Sequence, residues 1–397
     1  MACFHPLPAI KSMKRIVAKD GHIYNPLTIG SRYDTFEPFV NPDTGELCEP
    51  FSIPCGYCAG CCMDKSKAWA DRCSLEYLES DPENCFFVTL TIDPDHLEKY
   101  RIFEKPNGEL VDYDLFTLDK ELLTKFKKDL LARFQYYHNH TGVRFFACGE
   151  YGGKNHRPHF HIILFNAPLK DLEYWSSHKV GTYDIQIYRS KFIEACWDLG
   201  FVWIERYDWN NAAYVARYTQ KKSGILSKDA KQIYVDNGIE PEFLNMSRKP
   251  GIGVPFFESN IDKFYKGVYR DVVDEDGNFL YKEQSPLSII MPAHGSKEAS
   301  TLKIPRLFDI KFELEIREYL NAIRYSLDHG DTGIQDIIYE VEQKILNYNK
   351  YKQIKIENAK AIERTLLADT DLDPYEYQDL VAEASSAAYK LLTRNNF

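Results

Sequence analysis

Two histidines alternate with an aromatic residue and run straight into four apolar ones in Pro158-His159-Phe160-His161-Ile162-Ile163-Leu164-Phe165. On a strand, residues two apart point to the same face. His159 and His161 are therefore expected side by side, with Phe160 turned the other way. Two imidazoles on one rigid strand can form a metal site, because metal binding depends on such placement.

The segment Arg144-Phe145-Phe146-Ala147-Cys148-Gly149-Glu150-Tyr151-Gly152-Gly153 reads as an apolar strand ending in a Gly-rich turn. With a second strand starting near Arg157, a hairpin would bring Glu150 to the two histidines across the ladder. One carboxylate and two imidazoles leave coordination positions open for water and a phosphate. They suit a divalent ion such as Mg2+, Mn2+ or Zn2+. The bland alternative for Glu150 is a solvated turn carboxylate, and His156 is the weaker candidate ligand.

A third segment, Asn211-Ala212-Ala213-Tyr214-Val215-Ala216-Arg217-Tyr218-Thr219-Gln220-Lys221-Lys222, has the spacing of a short helix. Tyr214 and Tyr218, four apart, share a face, and Lys221 and Lys222 follow near it. A phenol titrates near pH 10, so it attacks poorly unless its developing charge is stabilised. A divalent ion that polarises a phosphate lowers that demand, and a nearby lysine offsets charge in the transition state. The product would be a phosphotyrosine holding the 5' end of a DNA strand, and a second tyrosine permits a second transfer.

These segments resemble motifs of one family. Arg157 to Phe165 is similar to the metal motif of the HUH endonucleases, and Tyr214 to Lys222 to the two-tyrosine motif of rolling-circle initiators. Phe86-Phe87-Val88-Thr89-Leu90-Thr91 resembles the first strand motif of the same group. Their order and spacing look most like the replication initiation proteins of the microviruses, the gokushovirus branch in particular. Pro54-Cys55-Gly56-Tyr57-Cys58-Ala59-Gly60-Cys61 and Arg248-Lys249-Pro250-Gly251-Ile252-Gly253 fit that branch too. Cys62 departs from it, standing where a basic residue is expected.

The resemblance covers roughly Pro54 to Pro305. It implies that His159, His161 and Glu150 are metal ligands, with Mg2+ or Mn2+ as cofactor. Tyr214 and Tyr218 would be nucleophiles, and Lys221 or Lys222 the helper cation. Thr89, Thr91, Arg157 and Arg217, which lie within the motifs, would contact DNA. The implied activity is nicking of one strand at a viral origin, followed by rejoining. The implied partners are single-stranded and origin DNA, a host helicase and the replication machinery, in the host bacterial cytoplasm. A plasmid relaxase is the alternative with the same chemistry, but its three-histidine motif and its nucleophile near the N-terminus are not visible here. A zinc-stabilised DNA-binding protein without catalysis is another, with Tyr214 and Tyr218 stacking on bases.

The net charge of −10 argues against a general nucleic-acid coat. Residues 131 to 230 carry 13 Lys and Arg against 9 Asp and Glu, a local excess of +4. No apolar run approaches a membrane span and no signal-peptide pattern is seen, so reduced cysteines and no membrane partner are expected. Cys55, Cys58 and Cys61, with Cys73 twelve residues on, make a candidate structural zinc site, buried reduced thiols being the alternative.

Periodicity predicts helices over 64–80, 119–139, 189–199 and 209–222, and strands over 86–92, 143–149, 158–165 and 201–206. The expected fold is α+β: a central antiparallel sheet carrying the His-x-His strand, helices packed on it, and a helical C-terminal extension. The expected divisions are a Cys-rich segment (1–84), a nicking core (85–225), a β-rich elaboration (226–306) and the helical extension (307–397). A hairpin is expected over 267–283 around Asp276-Gly277, and charged helices over 307–328 and 333–364 forming a solvated appendage.

Overall fold

The structure is a computed structural model. It describes residues 3–17, 23–43, 45, 47–97, 101–104, 110–113, 116–152, 157–180, 183–223, 232, 239–266, 268–273, 279–285, 288–291, 300–303, 305–330, 333–368, 376–377 and 379–384. The chain divides into two compact units. One comprises Met1–Lys65, Gln220–Leu226 and Glu363–Phe397, the other Ser66–Thr219 and Ser227–Ile362.

In the first unit, strand β1 (Leu7–Lys11) pairs antiparallel with β2 (Leu27–Ile29) on one side and β3 (Phe51–Ile53) on the other. Ala9 and Ile10 of β1 are buried. Asp379 accepts from Arg32 at 2.8 Å and lies 3.3 Å from His5, tying residues far apart in sequence. Helix α1 (Ala59–Leu78) begins in this unit, and its residues from Ser66 onward belong to the second.

The second unit is built on a seven-stranded antiparallel sheet. Its strands are β4 (Phe86–Thr91), β5 (Arg144–Tyr151), β6 (Pro158–Phe165), β7 (Glu173–Val180), β8 (Tyr183–Arg189), β9 (Val202–Arg206) and β10 (Phe243–Met246), in the order β7-β8-β9-β4-β6-β5-β10. Every neighbouring pair is antiparallel. Strand β6 is interior and covered on both faces, which is why its apolar run is nearly continuous rather than alternating with polar residues.

One face packs against α2 (Lys120–His138) and the short α3 (Lys191–Glu194). Phe160, Ile162 and Leu164 of β6 join Val88 and Leu90 of β4, and Leu123, Phe126, Leu130 and Phe134 of α2 close over them. Those four α2 residues recur at helical spacing, and each buried apolar side chain contributes about 1.5–3 kcal/mol. Asp119 caps α2 by accepting from the Glu121 amide at 2.7 Å, and Asn139 ends it in the left-handed conformation.

The opposite face packs against α1 and α4 (Trp209–Ser223). Ala212, Ala213, Val215 and Ala216 are buried against Phe87, Phe146, Ile163 and Phe165, with Ala70 and Cys73 of α1. Small side chains let α4 approach the sheet closely. Asp208 precedes it in a reciprocal cap: its amide donates to Asn211 Oδ1 at 2.8 Å, and its carboxylate accepts from the Asn210 amide at 3.4 Å.

The Arg248-to-Gly253 segment is a strap over α1. Arg144 pairs with buried Glu76 and donates to the carbonyls of Pro250 (2.9 Å) and Gly251 (3.0 Å). Arg72 Nε donates to Ile252 O at 2.9 Å, and the Gly253 amide to Glu76 Oε2 at 2.6 Å. Helices α5 (Val254–Lys266), α6 (Arg306–Asp328) and α7 (Gln335–Ala368) follow. Phe257 of α5, Phe308 and Phe312 of α6 and Tyr348 of α7 form a core with Leu75 of α1. The helical extension is thus anchored through its own apolar face rather than being a solvated appendage.

Some elements differ from expectation. Helix over 189–199 is confined to Lys191–Glu194, because Trp197 turns inward and donates its indole N–H to Thr91 O at 2.8 Å. The chain then runs beside β4, and a Cβ on Gly200 would meet Thr91 O at 2.3 Å. Strands β7, β8 and β10 lie where the sequence pattern predicts none. Val268–Val273 and Phe279–Ser285 form the expected hairpin, whose Asp276-Gly277 tip lies outside the described residues. Among the described residues no helix is long and apolar enough to cross a membrane.

Candidate active site

The β5–β6 ladder sets Glu150 opposite His159 and Cys148 opposite His161, while β4 sets Thr91 and Thr89 on the other side of the same two histidines. Alternation therefore brings two imidazoles, one carboxylate and two hydroxyls to a single face. Glu150 and His161 are buried, and His159 is partly exposed.

Each imidazole is oriented through its Nδ1. That of His159 bonds to Arg157 O at 2.8 Å, and that of His161 to Thr89 Oγ1 at 2.9 Å. His161 Nε2 meets Glu150 Oε1 at 2.8 Å. The His161 ring stacks on Phe87, with centroids 5.3 Å apart and planes 5° from parallel, and takes Tyr214 edge-on at 5.2 Å. Packing and hydrogen bonding together hold it in one pose. Burial pushes the His159 pKa below the ordinary histidine value, which favours the neutral imidazole that metals bind.

Tyr214, on the sheet-facing side of α4, donates its hydroxyl to Glu150 Oε1 at 3.2 Å. The other carboxylate oxygen, Glu150 Oε2, is buried without a hydrogen-bond partner among the described residues. A buried carboxylate oxygen left unsatisfied is costly unless something absent from the protein itself binds there. The donor set of Glu150, His159 and His161 fits a divalent cation on that ground.

The other residues singled out in the sequence fall into three groups. Arg157 Nη2 donates to Ile92 O at 2.5 Å and Thr91 Oγ1 to Phe201 O at 3.3 Å, so both are engaged at the rim of the site. Tyr218, Arg217, Lys221 and Lys222 lie on α4, with their side chains outside the described residues, as is His156 altogether. Glu205 is an addition that strand alternation could have flagged. It faces the site side of β9 opposite Phe87, and its pKa is raised by burial, against the pull of His178, Asn211 and His161.

The cysteine grouping needs a correction. Cys55, Cys58 and Cys61 do gather, but their fourth partner is Cys3 rather than Cys73. Cys73 is fully buried in the core between α1 and the sheet, where loss of solvent holds its thiol protonated, its pKa well above the ordinary value. The expected helical face of Trp69, Cys73 and Tyr77 forms, and it is that packing face which removes Cys73 from the cluster.

Residues 85–223 match the family model of the replication-associated proteins of the ORF2 type, a span that contains Glu150, His159, His161 and Tyr214. The chain is 34% identical over 326 residues to Replication-associated protein ORF2 of Spiroplasma virus 4, covering 82% of this chain and 85% of that protein. It is 28% identical over 246 residues to Replication-associated protein ORF4 of Chlamydia phage 1, covering 58% of this chain and 56% of the other. It is 30% identical over 220 residues to Replication-associated protein VP4 of Bdellovibrio phage phiMH2K, covering 55% and 62%. The chain thus spans most of the first relative and under two thirds of the other two. No solved structure matches it. With the similarity running far beyond the motifs, the chain belongs to the replication-associated proteins of the microviruses.

Proposed function

We propose that the protein nicks one strand of viral DNA at the replication origin, keeps the 5' end on a tyrosine and later rejoins it, driving rolling-circle replication. The observation that carries this reading is the hydrogen bond from the Tyr214 hydroxyl to Glu150, the carboxylate that also meets His161. It sets a phenol on a buried carboxylate of the histidine-bearing face. The names of the relatives, all replication-associated proteins of phages, support the setting.

In the forward step the tyrosine oxygen attacks the scissile phosphorus and the P–O3' bond breaks. A phosphotyrosine forms and the strand's 3' end leaves as a hydroxyl. Glu150 orients the Tyr214 hydroxyl and offers its proton a carboxylate to leave toward. Thr89 and Phe87 fix the His161 ring, and Arg157 O fixes that of His159, leaving the outer nitrogens to hold an ion. A bound Mg2+ or Mn2+ would polarise the scissile phosphate and lower the demand on the weak phenol nucleophile. Rejoining is the reverse attack by a 3' hydroxyl on the phosphotyrosine.

Tyr218 is the second nucleophile of this scheme, with Lys221 or Lys222 offsetting charge and Thr89, Thr91, Arg157 and Arg217 meeting DNA. Residues 85–225 form the nicking core, flanked by the Cys-rich segment, the β-rich elaboration and the helical extension. The partners are origin DNA, a host helicase and host replication proteins in the bacterial cytoplasm.

The test is incubation of the full-length protein with single-stranded fragments tiling the viral genome, followed by denaturing electrophoresis. The expected result is a protein–DNA adduct with one fragment, lost with chelator and restored by Mg2+ or Mn2+. Binding without any adduct would favour a non-catalytic DNA-binding protein. Adduct formation undiminished by chelator would sink the metal reading alone.

A further inference from the structure

The geometry points to a tetrathiolate zinc site formed by Cys3, Cys55, Cys58 and Cys61, separate from the proposed nicking centre. The four sulfurs all lie within 4.8 Å of one another, with Cys55–Cys61 and Cys3–Cys58 each at 3.9 Å. A tetrahedral ion with Zn–S bonds of about 2.3 Å requires sulfurs roughly 3.8 Å apart. That is far longer than a disulfide bond, and all four cysteines are free.

A second observation concerns charge. Five backbone amides donate to these sulfurs: Phe4 to Cys58 (3.4 Å), Cys55 to Cys3 (3.2 Å), Gly56 to Cys61 (3.4 Å), Cys58 to Cys55 (3.4 Å) and Cys61 to Cys58 (3.4 Å). Every sulfur accepts at least one. Neutral thiols packed in an apolar pocket need no such cradle, whereas four thiolates around a dication carry a net charge of −2 that amide dipoles offset. Gly56, with φ +84°, gives the turn that aims these amides inward. Lys65 Nζ donates to Gly56 O at 2.7 Å, adding a cation beside the turn.

The neighbouring cysteine is excluded by its own bond: the Cys62 thiol donates to Tyr57 O at 3.6 Å and turns away from the cluster. Tetrahedral sulfur donors suit zinc or iron. Zinc is assigned because the site closes on itself, with four protein ligands and no open position, the arrangement of structural zinc. Its role is to hold Cys3, 52 residues before Cys55, against the start of α1. The ion thereby closes a loop that would otherwise cost chain entropy on folding.

The test is the metal content of the purified full-length protein, determined by elemental mass spectrometry after exhaustive dialysis. One zinc per chain is expected in the wild type, in Cys73→Ser and in the double variant His159→Ala/His161→Ala. Cys3→Ser and Cys58→Ser should lose it. Should those variants be insoluble, titration of the wild type with a mercurial reagent decides, since one zinc should be released as four thiols react. A zinc-free wild type with all four thiols reactive would overturn the assignment. So would iron in place of zinc, full zinc in Cys3→Ser, or loss of zinc in the histidine double variant.

Discussion

The two faces of β6 are made by the same eight residues and serve opposite ends. Phe160, Ile162 and Leu164 turn toward α2 into a wholly apolar core. On the reverse, His159 and His161 turn toward α4, beside Glu150, Thr89 and Tyr214. One face gains stability by shedding water from hydrocarbon. The other buries polar groups whose bonds are nearly, but not fully, satisfied, leaving Glu150 Oε2 over. Polar burial of that kind costs stability, so the apolar face must hold the strand in place while the other carries the chemistry.

The comparison predicts that substitutions one residue apart on β6 fail differently. His161→Ala should reduce nicking by about 10³-fold or more, since losing a metal ligand removes several kcal/mol of transition-state stabilisation. Its denaturant midpoint should move far less than that of a core variant. Phe160→Ala should lose about 3–5 kcal/mol of stability by opening a cavity under α2. The fraction that remains folded should nick at the wild-type rate. Single-turnover nicking beside denaturant unfolding measures both. Equal loss of stability in the two variants would erase the distinction between the faces.

Thr89→Val sharpens the same comparison with a smaller effect. It removes the hydroxyl on His161 Nδ1 while Phe87 and Tyr214 still pack the ring. Metal affinity should fall by about 10- to 100-fold, as expected for an outer partner of a ligating histidine. Titration of Mn2+ followed by calorimetry checks this, and unchanged affinity would reduce Thr89 to a spacer.

The strands of the site were legible because their side chains announce both faces: alternation placed β4, β5 and β6 within two residues, and helical spacing placed α2 and α4. What escaped depended on contacts between distant residues. Strands β7 and β8 carry mixed sequences stabilised by pairing with each other and, through β8, with β9. Helix 189–199 was cut short by Trp197 reaching Thr91, a bond no local pattern encodes. The pairing of Cys3 with a cluster more than fifty residues away was invisible for the same reason, and nearness in sequence wrongly favoured Cys73.

The central claim is that α4 supplies the nucleophile to the histidine-bearing face. It is tested most directly by digesting the denatured protein–DNA adduct and sequencing the nucleotide-bearing peptide by mass spectrometry. The account predicts phosphotyrosine-linked DNA on Tyr214 or Tyr218, with single Phe variants shifting the linkage to the other residue and the double variant forming no adduct. DNA attached to any residue outside α4, or an adduct surviving in Tyr214→Phe/Tyr218→Phe, would contradict it.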